Sequence, residues 1–321
     1  MKEERRPLFF LSNDKGVALM MVLWVMTLLF IIVMEFAYAM RMELWSAGNF
    51  KDDTEAYYLA LAGINLALAE ALVDYDFNYL DKEGRLVFAI KEGGEINAPS
   101  VKREMALGRG HLSYTIIDEN GKLNINTVKA KDMIIRLIKA TGVEMAERDI
   151  IADSILDWRD KNHAFHLNGA EDDYYLSLPE PYEAKDGNLD TVEELLLVKG
   201  VTPLIFYGKD DLPPEFPYDK EEGSYTGIGR HITVTGDGTV NINTASEEVL
   251  EAAFGVMIAQ EILLRRQTEG FFDRPQYKGV VVSKTFTLEA TGEVNGIEYR
   301  VKAIVDRTQK RPRITYWKEG I

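Results

Sequence analysis

The sequence predicts an α+β protein: a long N-terminal helix carries an antiparallel-sheet head, and an inserted all-α domain interrupts that head. Three observations favour this class. An uncharged apolar run from Val17 to Met34 opens a segment that contains no proline as far as Leu72. Segments rich in β-branched and aromatic residues follow this helix and return near the C-terminus. The stretch between them has helical periodicity, so one structural class is inserted into the other.

The N-terminal apolar run predicts a membrane anchor. About 18 apolar residues suffice for a spanning helix candidate, because the hydrocarbon core needs roughly 20 residues at helical rise. Beyond the run, Ala56, Leu59, Ala60 and Gly63 recur at helical spacing, which predicts one helix that continues past the membrane with an amphipathic face. The excess of Lys and Arg before the span favours a cytoplasmic N-terminus, with the bulk of the chain on the other side.

The later elements follow from periodicity and turn residues. Strands are predicted before and after a helical region, and a proline-rich connector spans residues 212–223. The predicted strands are Arg85–Ile90, His111–Ile117, His231–Thr235, Gly279–Ala290 and Gly296–Val305, the last two forming a hairpin around Glu293–Gly296. The predicted helices are Met133–Ala140, Arg148–Trp158, Thr191–Val198 and Glu247–Arg266.

Composition excludes several functions. The chain has 52 acidic and 37 basic side chains, a net charge of −15, so it lacks the basic footprint that nucleic-acid binding needs. It has no cysteine, which excludes disulfide and thiol chemistry. No zinc-protease histidine motif, nucleophile elbow or phosphate-binding glycine loop is present, so we predict that the chain is not an enzyme. His163 and His166 are either a transition-metal pair or plain surface residues.

Two identical tetrapeptides, Asn124-Ile-Asn-Thr127 and Asn241-Ile-Asn-Thr244, bracket the helical region and each precedes a predicted helix. A structural role as helix starts is the favoured interpretation, since threonine and early acidic residues suit a helix N-terminus. The alternative is a helix-hairpin-helix DNA-binding module, because the second tetrapeptide leads into Phe254-Gly255-Val256. A single glycine replaces the Gly-X-Gly turn of such modules, and the acidic balance opposes phosphate binding.

A dense set of oxygen donors lies in the loops of the helical region. Calcium takes six to eight oxygen ligands, and Gly169 and Gly187 allow such loops to close around one centre. The spacing is not that of an EF-hand, and a solvated acidic surface is the competing interpretation. The candidate metal ligands are Asp157, Asp160, Glu171, Asp172, Asp173, Asp186, Asn188 and Asp190.

The N-terminus resembles that of type IV prepilins, which have a basic leader, a glycine and then an apolar helix. The resemblance implies that prepilin peptidase cuts after Gly16, leaving Val17 as the new, methylated N-terminus. A signal-peptidase site after Ala39 is the alternative. Met21 stands at the fifth mature position, where ordinary pilins have glutamate, and this departure is similar to the K-type minor pseudopilins of type II secretion. The segments 155–160, 169–176 and 191–200 carry the same resemblance.

The resemblance implies a location, partners and a cofactor. The chain would lie in the inner membrane with its bulk in the periplasm, capping the pseudopilus tip with I-type and J-type minor pseudopilins and supporting export across the outer membrane. Further expected partners are prepilin peptidase, the secretin and secreted proteins, and the helical domain would bind calcium. A DNA-binding pilin-like protein of an uptake system remains the rival function, although nucleic-acid binding is disfavoured by charge.

The expected domain limits follow from these predictions. They are a leader at 1–16, a transmembrane segment of the long helix at 17–40, the rest of that helix and the first part of the head at 41–127, the inserted α-domain at 128–225, the second part of the head at 226–308 and a C-terminal tail at 309–321.

Overall fold

A computed structural model describes residues 14–98, 101–216, 225–309 and 311–320. The predicted long helix is confirmed as α1, Asp14–Ala71. Within the described ranges, this is the one helix long and apolar enough to cross a membrane, and its most apolar 18-residue window is fully exposed, with mean hydropathy 2.9. Gly16 and Val17 lie in its first turns, whereas the rest of the predicted leader, residues 1–13, lies outside the described residues.

The C-terminal part of α1 packs against the head because small residues let the two backbones approach closely. The buried face of the helix begins at Ala56. A Cβ added to Gly292 would lie only 2.1 Å from the carbonyl oxygen of Ala56, and one added to Gly63 would lie 2.8 Å from the Cβ of Ala290. Any larger residue at either glycine would push the helix away from the sheet.

The head contains a five-stranded antiparallel sheet whose central strands come from distant parts of the chain. The order is β10-β9-β8-β5-β4, so β5 pairs directly with β8 across the inserted region. The expected hairpin between β8 and β9 is confirmed, with Asn295 and Gly296 at φ of 51° and 83° in the turn. The strands are β4 (Glu104–Leu107), β5 (Gly110–Asp118), β8 (Thr285–Val294), β9 (Ile297–Asp306) and β10 (Arg313–Glu319).

Two smaller sheets lie beside the large one. A three-stranded antiparallel sheet follows α1 and extends the strand predicted at Arg85–Ile90. A two-stranded parallel sheet joins the two sides of the insertion. The first sheet consists of β1 (Phe77–Leu80), β2 (Leu86–Glu92) and β3 (Glu95–Asn97), and the second of β6 (Leu123–Asn124) and β7 (Ile232–Thr233).

Several predicted elements differ from the structure. β8 begins at Thr285, six residues later than predicted, because the preceding amides bond to side chains: Ser283 N donates to Asn78 Oδ1 at 2.8 Å, and Lys284 N to Asn120 Oδ1 at 3.0 Å. The predicted strand at His231–Thr235 is reduced to β7, and the predicted helix at Thr191–Val198 is a 3₁₀ helix. β10 occupies most of the predicted C-terminal tail and forms an edge of the large sheet.

The helical domain is larger than the sequence indicated. One buried core contains Ile134, Leu137 and Ile155 from its first half together with Leu250 and Ile262 from the region assigned to the head. Gly255, at φ 84°, divides the predicted helix at 247–266 in two. The helices are α2 (Lys131–Ala140), α3 (Met145–Arg159), α4 (Asp172–Tyr175), α5 (Pro203–Tyr207), α6 (Glu247–Phe254) and α7 (Val256–Glu269). This core therefore includes residues on both sides of the limit expected at 225, together with Phe77 and Ala89 of the three-stranded sheet.

The second asparagine of each tetrapeptide holds a distant loop in the same way. Asn126 donates its side-chain amide to Leu189 O and accepts from Leu189 N, both at 2.9 Å. Asn243 repeats the arrangement with Phe272, at 2.9 and 2.7 Å. An asparagine side chain carries the same donor and acceptor as a peptide group. Each asparagine therefore pairs with the backbone of its loop residue as a neighbouring strand would. Both tetrapeptides therefore have a structural role, but the prediction that their threonines begin the helices is wrong: Ala130 and Ser246 are the N-caps of α2 and α6.

A buried carboxylate joins the head to the helical domain. Asp118, at the end of β5, accepts on one oxygen from Asn78 Nδ2 at 3.1 Å and Ser283 Oγ at 2.5 Å. The same oxygen accepts from Asn241 Nδ2 at 3.2 Å and Thr244 Oγ1 at 2.6 Å, both in the second tetrapeptide. Burial raises the pKa of Asp118 although these bonds oppose the rise. We call these five residues the polar junction.

The two residues after Asp118 extend the contact. The side-chain amide of Asn120 donates to Thr239 O at 3.0 Å. Its side-chain oxygen, Oδ1, accepts from the backbone amide of Lys284, just before β8. Burial alone would raise the pKa of Glu119, but Lys122 Nζ at 2.8 Å and a hydroxyl of Thr287 at 2.8 Å lower it below its usual value. The lowered pKa of Glu119 therefore favours its ionised form.

We predict that Asp118→Asn destabilises the chain by about 1–3 kcal/mol, the range for a buried polar group left unsatisfied. Both oxygens of Asp118 accept hydrogen bonds, one of them from Asn120 N at 2.9 Å, so either orientation of an asparagine points its NH₂ group at donors. Urea unfolding of the chain in detergent measures the effect. The exposed control Asp53→Asn is expected to change the unfolding free energy by less than about 0.5 kcal/mol, and equal values for both variants would contradict the prediction.

Candidate metal centre

Two groups of possible metal ligands lie in the loops that follow α3 and surround α4. One contains Asp157, Asp160 and His166, and the other contains His163, Asp172 and Asp186. Within each group, one ligand atom from every residue lies within 4.8 Å of the others. Four of the eight ligands predicted from sequence therefore converge, each pair accompanied by one histidine.

The end of α3 positions the first group. Asp157 lies in the last turn and is fully buried, and both its oxygens accept from His166 N, at 3.1 and 3.2 Å. Asp160 follows the helix and accepts from Asn162 N at 2.9 Å. The His166 Nδ1 atom also contacts Asp157, and this hydrogen bond raises the pKa of the His166 imidazole.

Backbone geometry brings the loops this close. A Cβ on Gly169 would lie 1.7 Å from Asp157 Oδ2, so only glycine leaves room for that carboxylate. Asp186 has a φ of 51°, a left-handed conformation that directs its side chain toward the second group. Asp172 begins α4 and accepts from Ala184 N at 2.8 Å, which closes the loop that carries Asp186.

Glu171 lies among these groups without a partner. The residue is 6% exposed, and in the described part of the chain neither carboxylate oxygen has a hydrogen-bond donor. Burial, together with the charges of Asp157, Asp160 and Asp186, raises the pKa of Glu171 to about 7. One oxygen of Asp186 is also buried without a donor. Such an excess of buried negative charge is the environment that a divalent cation neutralises.

Aromatic side chains pack together beside the candidate metal centre. Tyr175 is fully buried, stacks on Tyr182 with 5.4 Å between ring centroids, and meets the Trp158 ring at 5.1 Å. Lys199 Nζ donates to Gly169 O at 3.0 Å and closes one side of the loop. The carboxylates are thus held on a rigid apolar support.

The other predicted ligands lie away from the two groups. Asp173 and Asn188 are exposed, and Asp190 points into solvent, where it pairs with Lys185 Nζ at 2.5 Å. His163 and His166 were left out of the predicted ligand set, although their place in the loop directly after Asp160 was a usable signal. Calcium binding itself stays a prediction.

Comparison with known proteins identifies the family. Two family models, both described as type II secretion system protein K, match residues 121–207 and 240–279. The first match contains every candidate metal ligand, and the second contains α6 and α7. These are the two halves of the helical domain.

Relatives and a solved structure extend the similarity over most of the chain. Type II secretion system protein K of Aeromonas hydrophila is 24% identical, with 93% of this chain and 91% of the relative covered. The Pseudomonas aeruginosa protein of the same name is 25% identical, covering 83% and 76%.

The fold matches a chain in the crystal structure of the GspK-GspI-GspJ complex from enterotoxigenic Escherichia coli. The TM-score is 0.56 at 18% identity, and the match covers 87% of this chain and 99% of that one. The single apolar helix is consistent with a single-pass membrane anchor. The family models, the relatives and the fold together support the assignment of this chain to the type II secretion system protein K family, as a minor pseudopilin of that system.

Proposed function

We propose that this minor pseudopilin caps the tip of a periplasmic pseudopilus, assembled with I-type and J-type minor pseudopilins, and so supports protein export across the outer membrane. The role is structural rather than catalytic. The prepilin peptidase, the secretin and secreted proteins are its further proposed partners. The observation that carries the proposal is the point at which the helical domain joins the head.

The contacts between α1 and the large sheet indicate at which end of the head this junction lies. Ala56 contacts Gly292, and Gly63, two turns further on, contacts Ala290. Ala71, at the end of the helix, accepts through its carbonyl from Arg307 at 3.0 Å. The head therefore extends away from the apolar segment, and the N-terminal end of β8 lies at its distal end.

The helical domain is attached at this distal end. Tyr75, just after α1, donates to Ser283 O at 2.7 Å, and Ser283 belongs to the polar junction. The domain thus covers the end of the head that a further subunit would need for stacking. Met21 also fits a subunit at the tip. A carboxylate at this place would lie in the hydrocarbon layer, where it is costly unless a neighbouring subunit pairs with it, and a subunit at the tip has no further neighbour.

We predict that prepilin peptidase cuts after Gly16. Gly16→Leu leaves the longer precursor in the membrane, whereas Gly48→Leu, an exposed helical glycine with no neighbouring atoms within 4 Å, is processed normally. N-terminal sequencing of membrane-extracted chain measures the outcome. A mature chain that begins at Val17 supports the proposal, and one that begins at Met40 contradicts it.

We predict one copy of this chain in a complex with one I-type and one J-type minor pseudopilin. Native mass spectrometry of the co-expressed, detergent-extracted subunits gives the stoichiometry, and the chain alone forms no filaments. Met21→Glu is expected to weaken assembly, since it adds a carboxylate with no partner, whereas Met21→Leu preserves it. Many copies along a filament would overturn the capping role.

The rival role in DNA uptake has little support from the helix pairs. In the turn between α2 and α3, the amides of Gly142 and Val143 already donate to Lys139 O and Ile138 O, and the acidic Glu144 follows them. Binding of a short duplex at low salt is the discriminating experiment, because phosphate contacts weaken as salt increases.

We further propose that calcium binds in the candidate metal centre. The support is the convergence of Asp157, Asp160, Asp172 and Asp186 around the unpartnered Glu171. Asp173, Asn188 and Asp190, also predicted from sequence, are exposed and belong to neither group.

We predict that calcium raises the melting temperature and that chelator lowers it, because the ion binds the folded form. Gly169→Ala displaces Asp157 and loses this response. The control Gly187→Ala keeps it, since a Cβ there has nothing closer than Lys185 O at 3.7 Å. Calorimetry of the chain in detergent measures both variants, and an unchanged melting temperature with calcium and with chelator would exclude the proposal.

A further inference from the structure

The C-terminal strand β10 leaves one edge of the large sheet open. It pairs with β9 on one side, and in the described part of the chain no strand pairs with its other side. Gly320 N donates to Arg300 O at 3.0 Å, on the side of β9. Because amides alternate in direction along a strand, those of Trp317 and Glu319 point toward the open edge. Free backbone groups of this kind are a template for another strand.

One face of β10 is apolar and only half covered. Residues directly opposite one another in antiparallel strands share a face of the sheet. Ile314 and Trp317 lie opposite Val305 and Ala303, which are buried in the core beneath α1. Ile314 and Trp317 themselves are 50% and 40% exposed. A strand added beside β10 would continue this face and cover part of both side chains.

The other face of β10 is basic and aromatic, with Arg313, Tyr316 and Lys318 in a row. Residues 307–318 contain five basic side chains and no acidic one, although the chain as a whole has a net charge of −15. The basic residues of β9 pair with glutamates, whereas within the described ranges Arg313 and Lys318 form no ion pair. Their charge is therefore available to a partner.

This charge pattern distinguishes between the possible occupants of the edge. A second copy of β10 would set basic side chains against basic ones on the outer face, which is unfavourable for directly opposed residues. The register of β10 on β9 also shifts between Ile314 and Tyr316, and such a bulge further discourages pairing between identical edges. An acidic strand would instead meet Arg313 and Lys318 with opposite charge.

We propose that the open edge of β10 binds an extended acidic segment of a partner protein by strand addition. Acidic side chains of that segment lie opposite Arg313 and Lys318, and its apolar side chains lie beside Ile314 and Trp317. In this mode of recognition the backbone hydrogen bonds supply affinity, and the alternating side chains supply specificity. The surface shares no residue with the candidate metal centre or the polar junction, so this inference goes beyond the capping role and is independent of the calcium proposal.

The probe is a seven-residue peptide, the length of β10, that alternates valine with glutamate. One control peptide has lysine in place of glutamate, and a second has the same composition with its valines and glutamates in separate blocks. Fluorescence anisotropy of each labelled peptide, titrated with the detergent-solubilised full chain, measures Kd. We expect the alternating acidic peptide to bind at least about tenfold more tightly than either control, because only it matches both faces of β10.

Charge reversal on β10 tests the specificity. Arg313→Glu with Lys318→Glu is expected to weaken binding of the acidic peptide at least about tenfold and to strengthen binding of the lysine peptide. The gain for the lysine peptide is a result that an unfolded β10 would not give. The matched control Lys82→Glu with Lys129→Glu, at two exposed positions elsewhere, makes the same change in net charge and is expected to alter both Kd values less than about twofold.

Hydrogen exchange identifies the mode of binding. Strand addition is expected to slow exchange of the Trp317 and Glu319 amides at least about tenfold, since each gains a backbone acceptor, whereas adsorption by charge alone leaves them unprotected. Protection of these amides by the acidic peptide, lost in the charge-reversed variant, supports the proposal. Equal binding of the three peptides, binding without this protection, no binding at all, or protection that arises from dimers of the chain alone would each overturn it.

Discussion

The buried carboxylate of Asp118 is the contact on which the arrangement of this molecule depends. It receives hydrogen bonds from residues 78, 241, 244 and 283, which come from three separate stretches of chain. Without them a carboxylate in this position would be strongly unfavourable, because burial penalises its charge. The same bonds attach the second tetrapeptide to the end of β5. One buried carboxyl group thus joins the helical domain to the sheet.

This attachment connects local structure to assembly. The close packing of α1 at Gly63 and Gly292 fixes which end of the head lies nearest the apolar segment of α1. The polar junction then places the helical domain at the opposite end. A mobile linker there would leave the end of the head open to stacking, whereas a hydrogen-bonded, buried junction holds a bulky domain over it. The candidate metal centre lies in the loops of that domain and shares no residue with the polar junction.

The sequence predicts those elements of the fold that depend on patterns of neighbouring residues. The α1 helix follows from an uninterrupted apolar and then amphipathic run, and the β8–β9 hairpin follows from Asn295-Gly296. The late start of β8 depends on amides bonded to Asn78 and Asn120, more than 160 residues away, which no local window reveals. The same holds for α6, which packs against α2, and for α7, which packs against α6. At the metal centre the acidic residues were recognised by density, but the burial of Glu171 and the separation of the two histidines required the folded loops.

Hydrogen exchange at the polar junction tests the central claim most directly. The amide of Asn120 donates to Asp118 at 2.9 Å, and that of Asn241 donates to Asn120 O at 2.8 Å. If the junction mounts the helical domain rigidly, these two amides and that of Ser283 exchange as slowly as the central amides of β8 and β9. Exchange at the rate of the exposed loop residues around Asn188, while the β8 and β9 amides stay protected, would contradict the account.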